Sequence, residues 1–346
     1  MREIDILSLA RENVKRMKPY SSARDDFEGT ASIFLDANEN PFPQDYNRYP
    51  DPHQRILKAV IAELKGIKPD QIFLGNGSDE AIDLLFRVFC EPGKDSMIAP
   101  QPTYGMYAVG ADVNDVEIIK ATLTPEFDLN TSALLSLIQP TTKIIFLCSP
   151  NNPSGNLINR SEIEALLRSF NGIVVVDEAY IDFTESESWS KRIVEFKNLV
   201  ILQTLSKAWG LAGLRIGMCF ANEEIVSLIN KIKPPYNINA FSQSEALKTI
   251  TTKKALKEKM VKDLTLERET LRNSLSALSR VKKIYPSQAN FLLVQVTNAK
   301  SLYKQLIDKG IVVRDRSTVI LCDDCLRITI GTKEENKQLI QAISLL

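Results

Sequence analysis

Seven short apolar runs separated by helical periods constrain this chain more than any other feature. They are Ile72–Leu74, Ser96–Ala99, Val116–Lys120, Lys143–Cys148, Gly172–Asp177, Asn198–Thr204 and Arg215–Ala221. Unbroken apolar runs of this length fit strands covered on both faces, and their alternation with helices implies a mostly parallel sheet wrapped by helices. The expected class is α/β. A length of 346 residues suggests about two domains. Residues 32–235 carry the alternation and form the expected large domain, ending at Pro234-Pro235. Residues 236–346 hold a long charged helix, roughly Lys253 to Leu278, and a strand–helix–strand–helix tail. With residues 1–31, whose helix over 5–18 is expected to pack there, they form the expected smaller α+β domain.

Ligands of open α/β sheets bind beyond the carboxyl ends of the strands. The residues that follow the runs are therefore the candidates. After Asn198–Thr204 comes Ser206-Lys207-Ala-Trp-Gly210, and then Arg215. A lysine where a buried strand runs out is desolvated, which lowers its pKa and makes its amine a usable nucleophile. The hydroxyls of Thr204 and Ser206 and the guanidinium of Arg215 suit a phosphate beside an aldehyde, the chemistry of pyridoxal 5′-phosphate (PLP). Asp177 closes Ile173-Val-Val-Val-Asp177 and is positioned to pair with a protonated pyridine nitrogen; Tyr180 is near enough to reach the ring's phenolic oxygen. Asn152, in the turn Ser149-Pro-Asn-Asn-Pro-Ser-Gly155, can donate to the same oxygen. Gly75-Asn-Gly77-Ser78-Asp79-Glu80 enters an apolar helix with Ser78 as expected N-cap, and helix-start N–H groups bind phosphate. Asp79 and Glu80 would repel that phosphate, so contact is expected through backbone amides. This loop has neither the Gly-Lys-Ser/Thr ending of a nucleotide P-loop nor the spacing of a dinucleotide fold.

These runs, in this order, resemble the fold-type I PLP-dependent aminotransferases, and more narrowly their histidinol-phosphate branch. The similarity runs nearly end to end. It includes Leu35-Asp-Ala-Asn-Glu-Asn-Pro-Phe42, Asn47-Arg-Tyr-Pro-Asp51, Pro102-Thr-Tyr-Gly-Met-Tyr107 and Val176-Asp-Glu-Ala-Tyr180. The resemblance implies transfer of an amino group between L-histidinol phosphate and 2-oxoglutarate in histidine biosynthesis. It implies that Lys207 bonds the cofactor and shuttles the proton, with Asp177 and Tyr180 in support. The implied cofactor site also takes in Gly77, Ser78, Asp79, Tyr104 (stacked on the ring), Asn152, Thr204, Ser206 and Arg215, plus Tyr49 from a neighbouring subunit of a homodimer. Implied substrate residues are Tyr20, Asn38, Arg314 and Arg327. Arginine forks carboxylate and phosphate equally well, so one arginine can serve both substrates. An aromatic or other small-molecule PLP transaminase, or a PLP-dependent decarboxylase of a phosphorylated amino acid, shares most of these motifs and stays open.

Composition narrows the classes further. The 43 basic and 43 acidic residues balance, so no nucleic-acid or anionic-membrane surface is implied. No run of 18 apolar residues suggests a membrane span, no signal-peptide core is apparent, and five cysteines fit a reducing compartment; the expected location is cytoplasmic. Cys322-Asp-Asp-Cys325 lacks the second pair and the histidine of a zinc site, so no metal is expected. His53, the single histidine, is far in sequence from Lys207, so the proton carrier is expected to be the lysine.

Overall fold

The computed structural model describes residues 4–20 and 32–346. Every one of the seven apolar runs becomes a strand of one sheet: β1 (Ile72–Asn76), β2 (Ser96–Ile98), β3 (Glu117–Ile119), β4 (Thr142–Cys148), β5 (Ile173–Asp177), β6 (Leu199–Thr204) and β7 (Ile216–Ala221). The order is β1-β7-β6-β5-β4-β2-β3. Pairing is parallel except at β7, which runs antiparallel to both β6 and β1.

The apolar runs are continuous because each strand is buried on two faces. Val174 and Val176 of β5, with Ile201 of β6, join one core; Ile173 and Val175, with Leu202, join the other. This is the period-two alternation of a strand between two helical layers. The first core is closed by α3 (Arg55–Lys65), α6 (Thr131–Leu137), α7 (Arg160–Ser169) and, later in the chain, α9 (Ala240–Thr252). The second is closed by α4 (Ser78–Phe89), α5 (Met106–Val113), α8 (Glu223–Ile232) and the short N-terminal α1 (Ile6–Leu9) and α2 (Glu12–Arg16).

A second sheet has the order β10-β11-β9-β8 and is antiparallel: β8 (Val281–Ile284), β9 (Phe291–Val296), β10 (Arg314–Asp315) and β11 (Cys325–Thr329). Leu292, Val294, Leu326 and Ile328 turn towards α10 (Lys254–Ser276), α11 (Ala299–Asp308) and α12 (Lys333–Ser344). The opposite face turns towards the large sheet. Leu293 joins its core, and Phe291 meets Tyr180 edge-on at 5.2 Å between ring centroids.

Two expected groupings need correction. The N-terminal segment does not pack with the C-terminal unit: Ile6, Ala10 and Val14 are buried in the α4/α8 core, and the Arg11 N–H donates to the Val88 carbonyl at 2.9 Å. Nor does residue 236 begin the second structural unit. Ala246 and Ile250 of α9 belong to the large-sheet core, and the chain leaves it only where α9 meets α10 at Lys253. Apolar burial, rather than the Pro234-Pro235 break, decides which sheet a helix serves.

Candidate active site

The carboxyl ends of β4, β5 and β6 lie side by side, with Cys148 and Leu202 in register with Asp177. They form the floor of a cleft of about 350 Å³ between the two sheets. Asp177 is buried there; its Oδ2 accepts the Tyr107 hydroxyl at 2.7 Å and its Oδ1 accepts the Ala179 N–H at 3.0 Å. Burial pushes its carboxyl up to about 6, against these donors. Glu178, next along the chain, has a different task. Its carboxylate accepts from the Trp189 N–H and from Gln203, pinning the 188–190 segment to the end of β5.

Lys207 follows β6 and lines the same cleft, its Nζ 5.6 Å from the centre of the Tyr180 ring. Burial holds its ammonium below the usual lysine range, and Arg327 adds to this; Asp177 and Asp79 oppose it. Asn152 Nδ2 reaches the Tyr180 hydroxyl at 3.5 Å, and its Oδ1 accepts Arg327 at 2.5 Å. Trp209 turns away into the core, with Lys257 over its ring, so it does not narrow the cleft.

One side of the cleft is an anion cradle. The N-cap of α4 is Gly77, at φ 80°, rather than Ser78, and no side chain caps the helix. Gly77 N–H donates to the Arg215 carbonyl at 2.7 Å. Gly217 lies so close beneath that a Cβ there would sit 2.1 Å from the Ser78 nitrogen. Only glycine permits that approach. The Thr204 hydroxyl meets Ser206 Oγ at 3.0 Å on the opposite side. The two acidic residues of the first helical turn are already engaged. Glu80 accepts from the Asn76 N–H and from Asn237, and Asp79 accepts the Tyr104 hydroxyl at 3.1 Å with Arg215 3.6 Å away. Arg215 offsets part of the Asp79 charge, and the Asn76 and Asn237 donors hold the Glu80 carboxylate in place. An uncapped helix start, two hydroxyls and a guanidinium beside a buried carboxylate and a desolvated amine make a donor set that fits PLP.

The other side carries arginines. Arg314 and Arg327 are register partners across β10 and β11, and both line the cleft. Arg316 lines it too; sequence reasoning passed over it, although it stands two residues from Arg314 on the same strand face. Tyr107 was also missed. It reads as an apolar helix residue, and only its hydroxyl, in contact with Asp177, reveals more.

Two expected residues, Tyr20 and Asn38, lie elsewhere, and Tyr49, expected from a neighbouring subunit, lies outside its own chain's cleft. Tyr20 follows α2, which packs on α8, and is 70% exposed in a separate surface cleft with Leu7 and Leu228. Asn38 and Tyr49 line another pocket with Tyr236 and Phe241; Tyr49 stacks on Tyr236 at 4.4 Å. Within one chain, none of the three reaches Lys207's cleft. The Asn-Glu-Asn-Pro and Asn-Arg-Tyr-Pro runs interlock: Glu39 accepts from Arg48 and from the Tyr49 N–H, both at 2.6 Å. Glu39 is thus a turn-holding residue. Cys322 and Cys325 are buried, their thiols pushed up by burial to about 11 and about 12.

The family model for aminotransferase class I and II matches residues 33–343. A histidinol-phosphate aminotransferase of Flavobacterium johnsoniae is 52% identical, over 100% of both chains. One from Parabacteroides distasonis is 54% identical over 98% of each. The crystal structure of the Sinorhizobium meliloti histidinol-phosphate aminotransferase in complex with pyridoxal-5′-phosphate shares the fold. Its TM-score is 0.79 at 20% identity, covering 86% of this chain and 82% of that one. By its sequence along the whole length, and by the fold that carries its cleft, the chain belongs to the histidinol-phosphate aminotransferases of the class I and II aminotransferase family.

Proposed function

We propose that the cleft transfers an amino group reversibly between L-histidinol phosphate and 2-oxoglutarate, giving imidazole acetol phosphate and glutamate, as a step of histidine biosynthesis. The observation that carries this reading is full-length identity above 50% to relatives of that activity. Support comes from a cleft with an amine over a buried carboxylate at one end and facing arginines at the other. PLP is the cofactor; bound there, it supplies an aldehyde to carry the amino group and a cationic ring to take up electrons.

The chain's own groups do the rest. Thr204, Ser206, Arg215 and the backbone of Gly77–Asp79 would hold the cofactor phosphate, with Tyr104 beside the ring. Asp177 would keep the ring nitrogen protonated, and Asn152 and Tyr180 would hydrogen-bond the phenolic oxygen. Lys207, its ammonium held below the usual lysine range by burial, would take the proton from the donor's carbon and return it two atoms along, on the far side of the transferred nitrogen. Arg314 and Arg327 bind the donor phosphate and, in the return reaction, a carboxylate.

The division of labour between the two sheets makes the C-terminal unit, from α10 onward, the small domain of this reading. The active unit is a homodimer in the cytoplasm. Leu35 and Phe42, 88% and 71% exposed beside the Tyr49 loop, are apolar surface that a second copy would cover. Among the described residues no helix is long and apolar enough to cross a membrane.

The test is a single turnover. Adding L-histidinol phosphate, without keto acid, to PLP-loaded protein should bleach the visible cofactor band, and 2-oxoglutarate should restore it. A band that persists would sink the substrate assignment; carbon dioxide without glutamate would point to a decarboxylase.

Tyr107→Phe tests the support of Asp177. The hydroxyl stabilises the carboxylate, so its loss raises a group already at about 6. Less of Asp177 is then ionised near neutrality, and a cationic ring is held less firmly. Cofactor affinity should fall about tenfold, more steeply at pH 6 than at pH 8, in a PLP titration followed by visible absorbance. Equal losses at the two pH values would contradict this role.

A further inference from the structure

The β10–β11 ribbon brings a third arginine, Arg316, to the cleft beside Arg314 and Arg327. Residues two apart on a strand share a face. The Arg316 N–H donates to the Cys325 carbonyl at 2.9 Å, extending the register in which Arg314 faces Arg327. All three guanidinium-bearing residues line the one cleft. Asp315, between the first two, accepts from the Ser317 N–H at 2.8 Å and does not line that cleft. Among the described residues, no carboxylate forms an ion pair with Arg314, Arg316 or Arg327. Arg316 Nε is moreover a buried donor without a hydrogen-bond partner.

Buried donors are rarely left unpaired, and an uncompensated cluster of like charges is costly. Burial, and then Arg327 and Arg314, disfavour charge on Arg316. The arrangement makes sense with an anion in it, and the number of arginines indicates which kind. A carboxylate offers two oxygens and one negative charge. Arg314 and Arg327 suffice for that, even with one nitrogen of Arg327 committed to Asn152. A phosphate monoester offers three terminal oxygens and up to two charges. Resting on the transaminase reading, we propose that Arg316 is a third guanidinium of the donor-anion subsite, and that it sets the preference for a phosphate dianion over a carboxylate.

Full-length PLP-loaded Arg316→Gln and Arg316→Lys test this. In R316Q the KM for L-histidinol phosphate should rise about 10- to 100-fold, with kcat changing less than KM. The KM for glutamate should rise by a much smaller factor, so the ratio of kcat/KM values between the two donors falls. R316K restores charge but not the planar fork and should recover part of that ratio. Inorganic phosphate, competing with glutamate in the same holoenzymes, should lose affinity in parallel. That arm reads the subsite whether or not histidinol phosphate is turned over. Failure of the wild type on histidinol phosphate, with phosphate inhibition that still depends on Arg316, would remove the function and leave the subsite. An unchanged donor ratio in both variants would overturn the proposal. So would equal losses for both donors, or phosphate inhibition indifferent to the substitution, since a merely structural Arg316 predicts those results.

Discussion

Replacing Lys207 with alanine should lower kcat by at least about 10⁴-fold, the upper end of what a positioned acid–base group supplies, while leaving the protein folded. The expectation follows from what surrounds the amine. Among the residues lining the cleft Lys207 is the only one with an amine, and the other cations are guanidiniums, which stay protonated. Burial and Arg327 hold the lysine below its ordinary range, so a larger fraction is neutral and able to accept a proton near pH 7. Stability should hardly change. The residue is exposed within the open cleft, and its removal leaves no buried partner unpaired. The check is steady-state rate with L-histidinol phosphate beside a melting curve. The cofactor's visible band should also shift, since no amine remains to bond its aldehyde. A small primary amine in the buffer should return part of the activity. A variant retaining more than about one hundredth of the rate would be incompatible with acid–base work by this residue.

Asp177→Asn should cost about 10³-fold in kcat, comparable to losing a preorganised electrostatic contact in a dry site. The carboxylate is buried, and Tyr107 and the Ala179 N–H hold both its oxygens. An amide occupies the same volume and can keep a bond to each neighbour once the Tyr107 hydroxyl reorients. It cannot hold a proton on a ring nitrogen by charge. Alanine at 177 is a poorer test, because it strands the buried Tyr107 hydroxyl and costs about 1–3 kcal/mol of stability by itself. Rate, cofactor affinity and melting temperature together separate the two effects. A D177N enzyme within tenfold of the wild type would show that charge at this position is dispensable.

How much of this was legible in the sequence depends on what each residue's neighbours are. The strands of the large sheet were readable because burial on both faces leaves no polar residue to interrupt them, as in Ile173-Val-Val-Val. β8 was not: Val281-Lys-Lys-Ile284 is an edge strand with two lysines exposed to solvent. The start of α10 was readable, the long charged helix being expected from roughly Lys253, but α9 just before it was not assigned, because its mixed polar and apolar residues carry no clear stripe. The partner of α1 and α2 was unreadable for another reason. An amphipathic helix advertises an apolar face but not which apolar face will cover it.

The site divides in the same way. Asp177 ends a strand and Lys207 and Asn152 follow strands, and strand ends in an α/β sheet point to one place. Tyr20 and Asn38 lie on loops with no such rule. Tyr107 hid among apolar helix residues. Arg316 had a readable signal in its spacing from Arg314, but solvated arginines show the same spacing.

The two poles of the cleft belong to different bodies. Lys207 and Asp177 stand on the large sheet, Arg314 and Arg327 on the small one, and the bodies meet through contacts such as Tyr180 against Phe291. With the arginines taking the donor's anion as proposed, the site would work as a caliper. The gap between its jaws would be set by how one sheet rests on the other, not by the length of any side chain. A donor would be measured from its amino group to its anion, and a small slide at the Tyr180–Phe291 contact would change the length that fits. Substitutions there, remote from any proton transfer, would retune which molecules are accepted while the chemistry at Lys207 stays as it is.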